Sequence, residues 1–556
     1  SEWDIYRSEI ELLALVAPRQ TVDMIQSLVN DASQNGWLPT WAIADGDESQ
    51  INGDSADPII ASAYAFGVRD FDSKSALAAM VKGATEAESG HGLEIERQYL
   101  SQYLSQHYIN AGSLDLTSID YSIGGSATLE YALDDFSIAQ LARSLGDQTL
   151  YTSMMQRAHN WEYLFNPATG YVQARNSDGS FPPGAAFQSD LFEPGGETGF
   201  EEGNAVQYTW AVPQDLGSLA NLMGGSSKAV SKLNTFFTHL NAGRFKPYDW
   251  AGDEPSLWTP WEYDFVGAPW RTQAVVRSVA DDLYHDAPVN EPGNDDLGAM
   301  SSWYVWAAIG LYPVTPGTAN LALASPLFPD VSFQLPSGHR LLLEAPKASA
   351  SRPYVHSLAV SSPAERSLAS AATARGCVPE KGVRSASSAN GNWQSPWLPA
   401  SALTTGATLH YVLSGTPDRN WGAEPQNALP SYTTGELPAV GFSVPSGGVT
   451  VVEGSARTVE LGLQQVSLGG PGVLWSATTS TGLTLGPSSG SFRPARARST
   501  RTSSSLDSCQ SPPRQSEKLT LRSETLGHAS VTFSLRTTSG VELPPVVMDV
   551  SSLPSK

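Results

Sequence analysis

Thiols are almost missing from this chain. Cys377 and Cys509 are its two cysteines, both in the second half. The first half is therefore held by no disulfide, and it offers no thiol nucleophile and no Cys-ligated zinc. Long apolar runs are missing too: nothing approaches the roughly 18 residues a membrane-spanning helix needs. HExxH, His-x-His, Walker A and the dinucleotide-binding glycine pattern are all absent, which removes the usual signatures of zinc and nucleotide chemistry. Cationic residues are scarce where acids are dense. Residues 1–339 hold 15 Lys+Arg against 43 Asp+Glu, so the negative charge of the chain resides there. Such a surface repels nucleic acid and anionic membranes and leaves neutral, cationic or metal-bound partners. The same charge also serves solubility. The N-terminus, Ser1-Glu2-Trp3-Asp4, has neither a basic nor an apolar leader. It reads as a chain whose signal was removed, or as a piece of a longer protein. Low charged content with many Trp and Tyr suits a secreted or cell-surface enzyme.

What is present falls into two textures. Up to about residue 315, apolar residues recur at helical spacing in Ile10 to Val16, Ala76 to Val81, Phe136 to Leu145, Leu150 to Leu164 and Ala274 to Tyr284. Asp135 and Ser137 are expected helix starters and Gly146 a stop. Repeated helices joined by long Gly/Pro-rich loops suggest an (α/α)6-type helical toroid. From about residue 316, short apolar runs such as Arg340 to Glu344, Val355 to Val360 and Leu409 to Leu413 predict strands of a β-sandwich. The expected fold class is α+β multidomain: a helical catalytic domain over 1–315, a β-sandwich domain over 316–428 packed on it, and a β-rich accessory module over 439–556. Within that module residues 493–516 are Arg/Ser-rich and irregular.

Three acidic clusters are set in glycine turns beside tryptophans: Glu201-Glu202-Gly203-Asn204, Gly252-Asp253-Glu254-Pro255 and Gly293-Asn294-Asp295-Asp296. Paired carboxylates, aromatic platforms and oxygen ligands for a metal are what sugar hydrolysis needs. Each has a plain alternative. Asp295 and Asp296 precede a helical run, where one carboxylate can cap while the other faces a pocket as a base. Glu202, beside aromatic residues, suits a proton donor if desolvated, yet the pair also reads as an acidic first turn of a helix. Asp253 and Glu254 read as hard ligands for calcium or as a solvated turn. Asp54, after Gly53 and near Trp37 and Trp41, reads as a cap or as an acceptor for sugar hydroxyls.

Several ordered stretches resemble glycoside hydrolase family ninety-two, the calcium-dependent exo-α-mannosidases, many of which cleave α-1,2 links. They are Gly36 to Trp41, Gly53-Asp54 through Asp72, Ala174 to Phe181, Glu202 to Trp210 with Val212 to Asp215, Met223 to Gly225, Gly252 to Pro255, Pro269 to Gln273, Gly293 to Pro313, and the closing Asn420-Trp421-Gly422. The resemblance covers roughly residues 3–425. It implies hydrolysis of terminal mannose from mannan or N-glycans with inversion, Glu202 being the general acid and Asp296 the general base, assisted by Asp295 or Asn294. It also implies Ca2+ as cofactor, contacting the mannose O2 and O3, with Asp253, Asn294 and Gln273 as ligands. Asp54, Trp41, Arg175, Glu254 and Trp270 are the implied sugar contacts. Asp253 stands where the family usually has Asn. Family members normally begin with a β-sandwich domain that lends residues to the pocket, and this chain starts at the helical domain. Residues 439–556 lie outside the resemblance and are expected to be a sugar- or wall-binding accessory. The rival readings are another toroid glycosidase or a lyase, the latter disfavoured by the acidic half, and a carbohydrate-binding relative without catalysis.

Overall fold

The computed structural model describes residues 2–43, 46–47, 51–87, 96–116, 122–288, 290–335, 337–361, 392–400, 402–403, 406–432, 440–443, 449–465, 473–492, 515–537 and 542–554. Cys377, Cys509 and most of the Arg/Ser-rich stretch lie outside them. The chain forms two compact units, Ser1–Tyr432 and Thr433–Lys556. The helical residues and the first β-rich residues share the first unit and one continuous apolar core.

Four of the expected helical runs appear with longer bounds, as Glu9–Val16, Ser73–Thr85, Gly124–Leu145 and Pro269–Leu283; the Leu150 to Leu164 run divides into a helix over Gln148–Arg157 and a 3-10 turn over Asn160–Leu164, and a further helix spans Pro18–Asn35. Local chemistry sets several ends. Gly36 and Gly146 stop their helices in the left-handed conformation, which costs glycine little. Asp72 and Asp147 cap by accepting from Ser75 N and Leu150 N. Asp135 does not start a helix. It lies inside Gly124–Leu145, a helix buried from Gly124 to Ala142. That helix begins early because Gly124 and Gly125 let its first turn press on the Asn110 and Gly199 backbones, where a Cβ would sit 2.1 and 2.8 Å from the carbonyl oxygens.

A helix buried on all sides must have its charges paired. Glu130 accepts from Tyr6 Oη at 2.7 Å, Arg7 Nη2 at 2.9 Å and Trp3 Nε1 at 3.3 Å. Asp135 meets Arg97, Arg157 and the Tyr103 hydroxyl at 2.8–3.0 Å. This helix thereby anchors the N-terminal segment that reaches the site.

The β-rich part of the first unit holds a five-stranded mixed sheet in the order Asn392–Trp393, Tyr354–Ser361, Ala407–Ser414, Arg340–Glu344, Asp330–Gln334, and a three-stranded sheet of Trp397–Leu398, Leu321–Leu323 and Leu311–Tyr312. Alternating burial along Arg340–Glu344 and Ala407–Ser414 gives one packed face and one wet face. The second unit has a four-stranded and a five-stranded sheet around Val451, Val459, Trp475, Leu519, Leu521 and Phe533. The chain is thus an α+β multidomain protein, helical first and β-rich after.

Candidate active site

Two acidic loops cross backbone to backbone. Gly252 and Gly293 sit at the crossing: a Cβ on Gly293 would stand 2.1 Å from Gly252 O, and a Cβ on Gly252 would stand 2.3 Å from Pro292 O. Asn241 clamps both, donating from Nδ2 to Pro292 O at 2.8 Å and accepting from Gly252 N at 3.1 Å. One loop continues into Asp253 and Glu254. The other continues through Asp295 and Asp296 into the Ala299–Ile309 helix. Asp295 Oδ1 accepts from Ser301 N at 2.9 Å, so Asp295 caps. Asp296 then turns left-handed (φ 42°), followed by Leu297 (57°) and Gly298 (94°). That turn aims Asp296 toward the first loop.

The tryptophans beside these acids tie the loops together. Trp303 Nε1 donates to Leu257 O at 2.7 Å and Trp306 Nε1 to Ser8 O at 2.8 Å. Trp258, Trp261, Trp303 and Trp306 are fully buried. These rings are core and not sugar platforms, a correction to the reading of aromatic neighbours as binding surface.

The third loop is a folded hairpin around Glu201 and Glu202. Glu197 N donates to Gly203 O and Glu197 Oε2 accepts from Ala205 N, both at 2.8 Å. Asn204 caps the following turn through Val206 N and Gln207 N. The two glutamates diverge. Glu201 points inward, accepts from Asn52 N at 3.0 Å and is pushed up to about 8 by burial. Glu202, half-buried at φ 47°, is raised by burial and by the Asp296 carboxylate, with Arg244 opposing. Seven non-glycine residues among those described have positive φ. Four of them, Glu202, Asn241, Asp296 and Leu297, belong to this site, where unusual backbone is most often stored for function.

Asp4 and Arg7, from the N-terminal segment, complete the cluster. Carboxylate oxygens of Asp4, Glu254 and Asp296 lie within 4.8 Å of one another. Asp253 is held well above its ordinary range by burial, then by Glu254 and Glu202, with Arg7 opposing. Glu254 is raised by burial and Asp4. Asp296 is raised by burial and Asp295. Arg7 lies beneath this cluster, its guanidinium 4.5–4.6 Å from the Trp3, Tyr6 and Trp258 rings and paired with Glu130 at 2.9 Å. Since Glu130 already engages it, Arg7 offsets little of the charge of five surrounding carboxylates. The site is built to take a proton or a cation.

Glu202, Asp253, Glu254 and Asp296 are therefore brought together. Trp41 is half-buried next to Ala42, whose N–H donates to Glu2 on the segment carrying Asp4. Asn294 is exposed on the Asp296 loop. Four residues lie elsewhere. Asp54 is fully buried and paired with Arg97 at 2.8 Å, beside Asp57 and Asp135 on the same guanidinium. It has no surface to offer a hydroxyl. Arg175 braces its own turn, donating to Gly179 O and Tyr163 O. Trp270 is sandwiched by Arg271 and Arg419. Gln273 is buried against the β-sheet, its Oε1 accepting from Val355 N at 3.0 Å, so its amide oxygen does not face the acidic cluster. Asp4 and Arg7 escaped sequence reasoning. Their only local signal is Trp3, Asp4, Tyr6 and Arg7 within one helical turn, too short to register as a motif.

Residues 1–415 match the Glycosyl hydrolase family 92 catalytic domain. The chain belongs to this family. It is similar to a solved family 92 inverting mannosidase from Bacteroides thetaiotaomicron (26% identity, TM-score 0.64), covering 77% of this chain and 55% of that one. A second α-mannosidase of that family and organism, solved with mannoimidazole, is 25% identical with TM-score 0.66 over 77% of this chain and 52% of that one. A protein of Arthroderma benhamiae described as an uncharacterized secreted glycosidase is 29% identical over 336 residues, 56% of this chain and 42% of that one. The chain thus spans about half the length of these relatives.

Proposed function

We propose that this family 92 chain is an exo-acting α-mannosidase that releases terminal mannose from mannan or N-glycans, α-1,2 links foremost, with inversion. The observation that carries the reading is the convergence of Glu202, Asp253, Glu254 and Asp296 with Asp4 near the Arg7 guanidinium. The described solved relatives are mannosidases, one of them solved with mannoimidazole, which supports mannose as the sugar.

Glu202 carries the proton. Burial and the facing Asp296 carboxylate raise it, which favours the protonated form a general acid needs. It protonates the glycosidic oxygen as the bond from that oxygen to C1 breaks. Asp296 takes a proton from a water that attacks C1 on the opposite face, giving β-mannose and a free hydroxyl on the leaving sugar. Asp295 holds the Asp296 turn by its bond to Ser301 N.

Calcium fits the residues present. Asp4, Glu254 and Asp296 supply closely set hard oxygens, and Glu254 Oε1 is buried without a hydrogen-bond partner. These three would hold the ion, with Asp253 and Asn294 on the adjoining loops. When bound, it supplies positive charge that favours the ionised form of Asp296 and coordinates sugar hydroxyls. Release from the cell, to the medium or the surface, agrees with the secreted description of the fungal relative.

The test is mannose release from α-1,2-mannobiose, followed by NMR to see which anomer appears first. Early β-mannose, abolished by EDTA and restored by Ca2+, is expected. Glu202→Gln should slow the reaction roughly 10²- to 10⁴-fold. Early α-mannose would refute inversion, full activity of the Gln variant would refute the acid assignment, and turnover untouched by chelation would remove the metal.

A further inference from the structure

A row of phenylalanines stands beside the Glu202 turn and has no part in the chemistry above. Phe187 and Phe192 have ring centroids 5.6 Å apart, and Phe192 and Phe245 5.3 Å apart. Phe245 is 53% exposed, and apolar rings grouped together and left in water are the kind of patch that marks a contact surface. The guanidinium of Arg244 lies 5.2 Å from the Phe245 ring.

Two rings of the row, Phe245 and Phe192, are bolted to the Glu202 turn. Asn204 Nδ2 donates to Arg244 O at 2.9 Å and to Lys246 O at 3.0 Å, the carbonyls on either side of Phe245. Gln207 Nε2 reaches Tyr248 O at 3.0 Å in the same loop. On the other side Phe192 bridges to Glu197, and Glu197 grips Gly203 O and Ala205 N. The rings therefore keep a constant position relative to Glu202.

A proton donor in glycoside hydrolysis sits over the bond to the leaving group. Whatever flanks the donor, away from Asp296, faces the sugar that departs. An aromatic ring receives the C–H face of a pyranose, and a guanidinium beside it donates to hydroxyls. We propose that Phe245 and Phe192, with Arg244, form a leaving-group subsite that takes the pyranose on the reducing side of the cleaved bond. This inference rests on the mannosidase reading. It assigns the chain a preference for extended glycans over glycosides with small aglycones.

The experiment compares kcat/KM for α-1,2-mannotriose with that for α-mannosyl fluoride, which has no leaving sugar. Phe245→Ala should lower the ratio of the two about tenfold, the effect of exposing roughly half a phenyl face. Phe245→Tyr should restore it, with melting temperatures confirming that both variants fold. A ratio unchanged in Phe245→Ala and in the double variant Phe192→Ala/Phe245→Ala would overturn the subsite. Wild-type chain that hydrolyses both substrates, with the ratio unmoved in either variant, refutes the subsite alone. Wild-type chain inert toward both substrates refutes the mannosidase reading and the subsite with it.

Discussion

Replacing Gly293 by Ala tests whether the crossing of two loops assembles the site. The new Cβ would lie 2.1 Å from Gly252 O and 2.8 Å from Gly252 C and Cα, where ordinary contact begins at 3.4 Å. Every obstacle is backbone, so no side-chain rotation relieves it, and Asn241 bonds both loops at that point. Gly293 has no positive φ, so the clash alone, and not the conformation, carries the effect. The loops must part by about 1 Å, a displacement that in a reacting geometry costs roughly 10²-fold in rate. Overpacking costs about 1–3 kcal/mol of stability, which leaves a unit of this size folded. Expected, then, is a roughly hundredfold fall in kcat/KM for α-1,2-mannobiose with a melting temperature lower by only a few degrees. Gly112→Ala is the control, since nothing lies within 4 Å of its Cβ position and its φ is ordinary. Gly293→Ala with wild-type activity would refute the argument that this crossing places Asp253, Glu254 and Asp296.

Arg97 binds Asp54, Asp57 and Asp135 with no side-chain exposure at any of the four. Arg97→Ala leaves Asp54 and Asp57 buried without their cation, and Asp135 with Arg157 alone, and should cost about 3–5 kcal/mol in denaturant unfolding; a loss below about 1 kcal/mol would contradict the hub. Glu11 is fully buried and pushed up to about 8 by burial, against an ordinary 4.5. The folded state keeps a proton that the unfolded state releases, so this contribution to stability is whole below pH 4.5 and is lost as pH rises toward 8. Glu11→Gln should flatten the fall of unfolding free energy between pH 5 and 8 by up to about 1.4 kcal/mol per pH unit. An unchanged slope in urea titrations at pH 5, 6 and 7 would show that Glu11 is ionised in the fold.

Much of the helical and strand layout was legible, because helical apolar periodicity and strand-forming runs are local properties. The runs at Ala76 to Val81 and Arg340 to Glu344 needed no distant partner to read correctly. The glycine-set acids Glu202, Asp253, Glu254 and Asp296 were also legible as a group, since turn residues beside paired carboxylates form a local pattern. The start of the Gly124–Leu145 helix was not, because its glycines answer to the Asn110 and Gly199 backbones.

The role of each carboxylate was decided elsewhere. Asp54 and Asp296 follow similar glycine turns in the sequence. Asp54 meets Arg97, 43 residues away, and becomes an internal counterion. Asp296 meets Asp4, some three hundred residues away, and faces a site with excess negative charge. Glu201 and Glu202 are adjacent, yet one is sealed against Asn52 and the other opens toward Asp296. By itself the sequence determined which acids stood in turns and which stretches were helical or extended, since those depend on neighbours along the chain. Only the tertiary structure decided which acid is a cap, a counterion or a member of the acidic cluster, because a carboxyl's protonation is set by the water it loses and the charges it faces, and both come from residues distant in the chain.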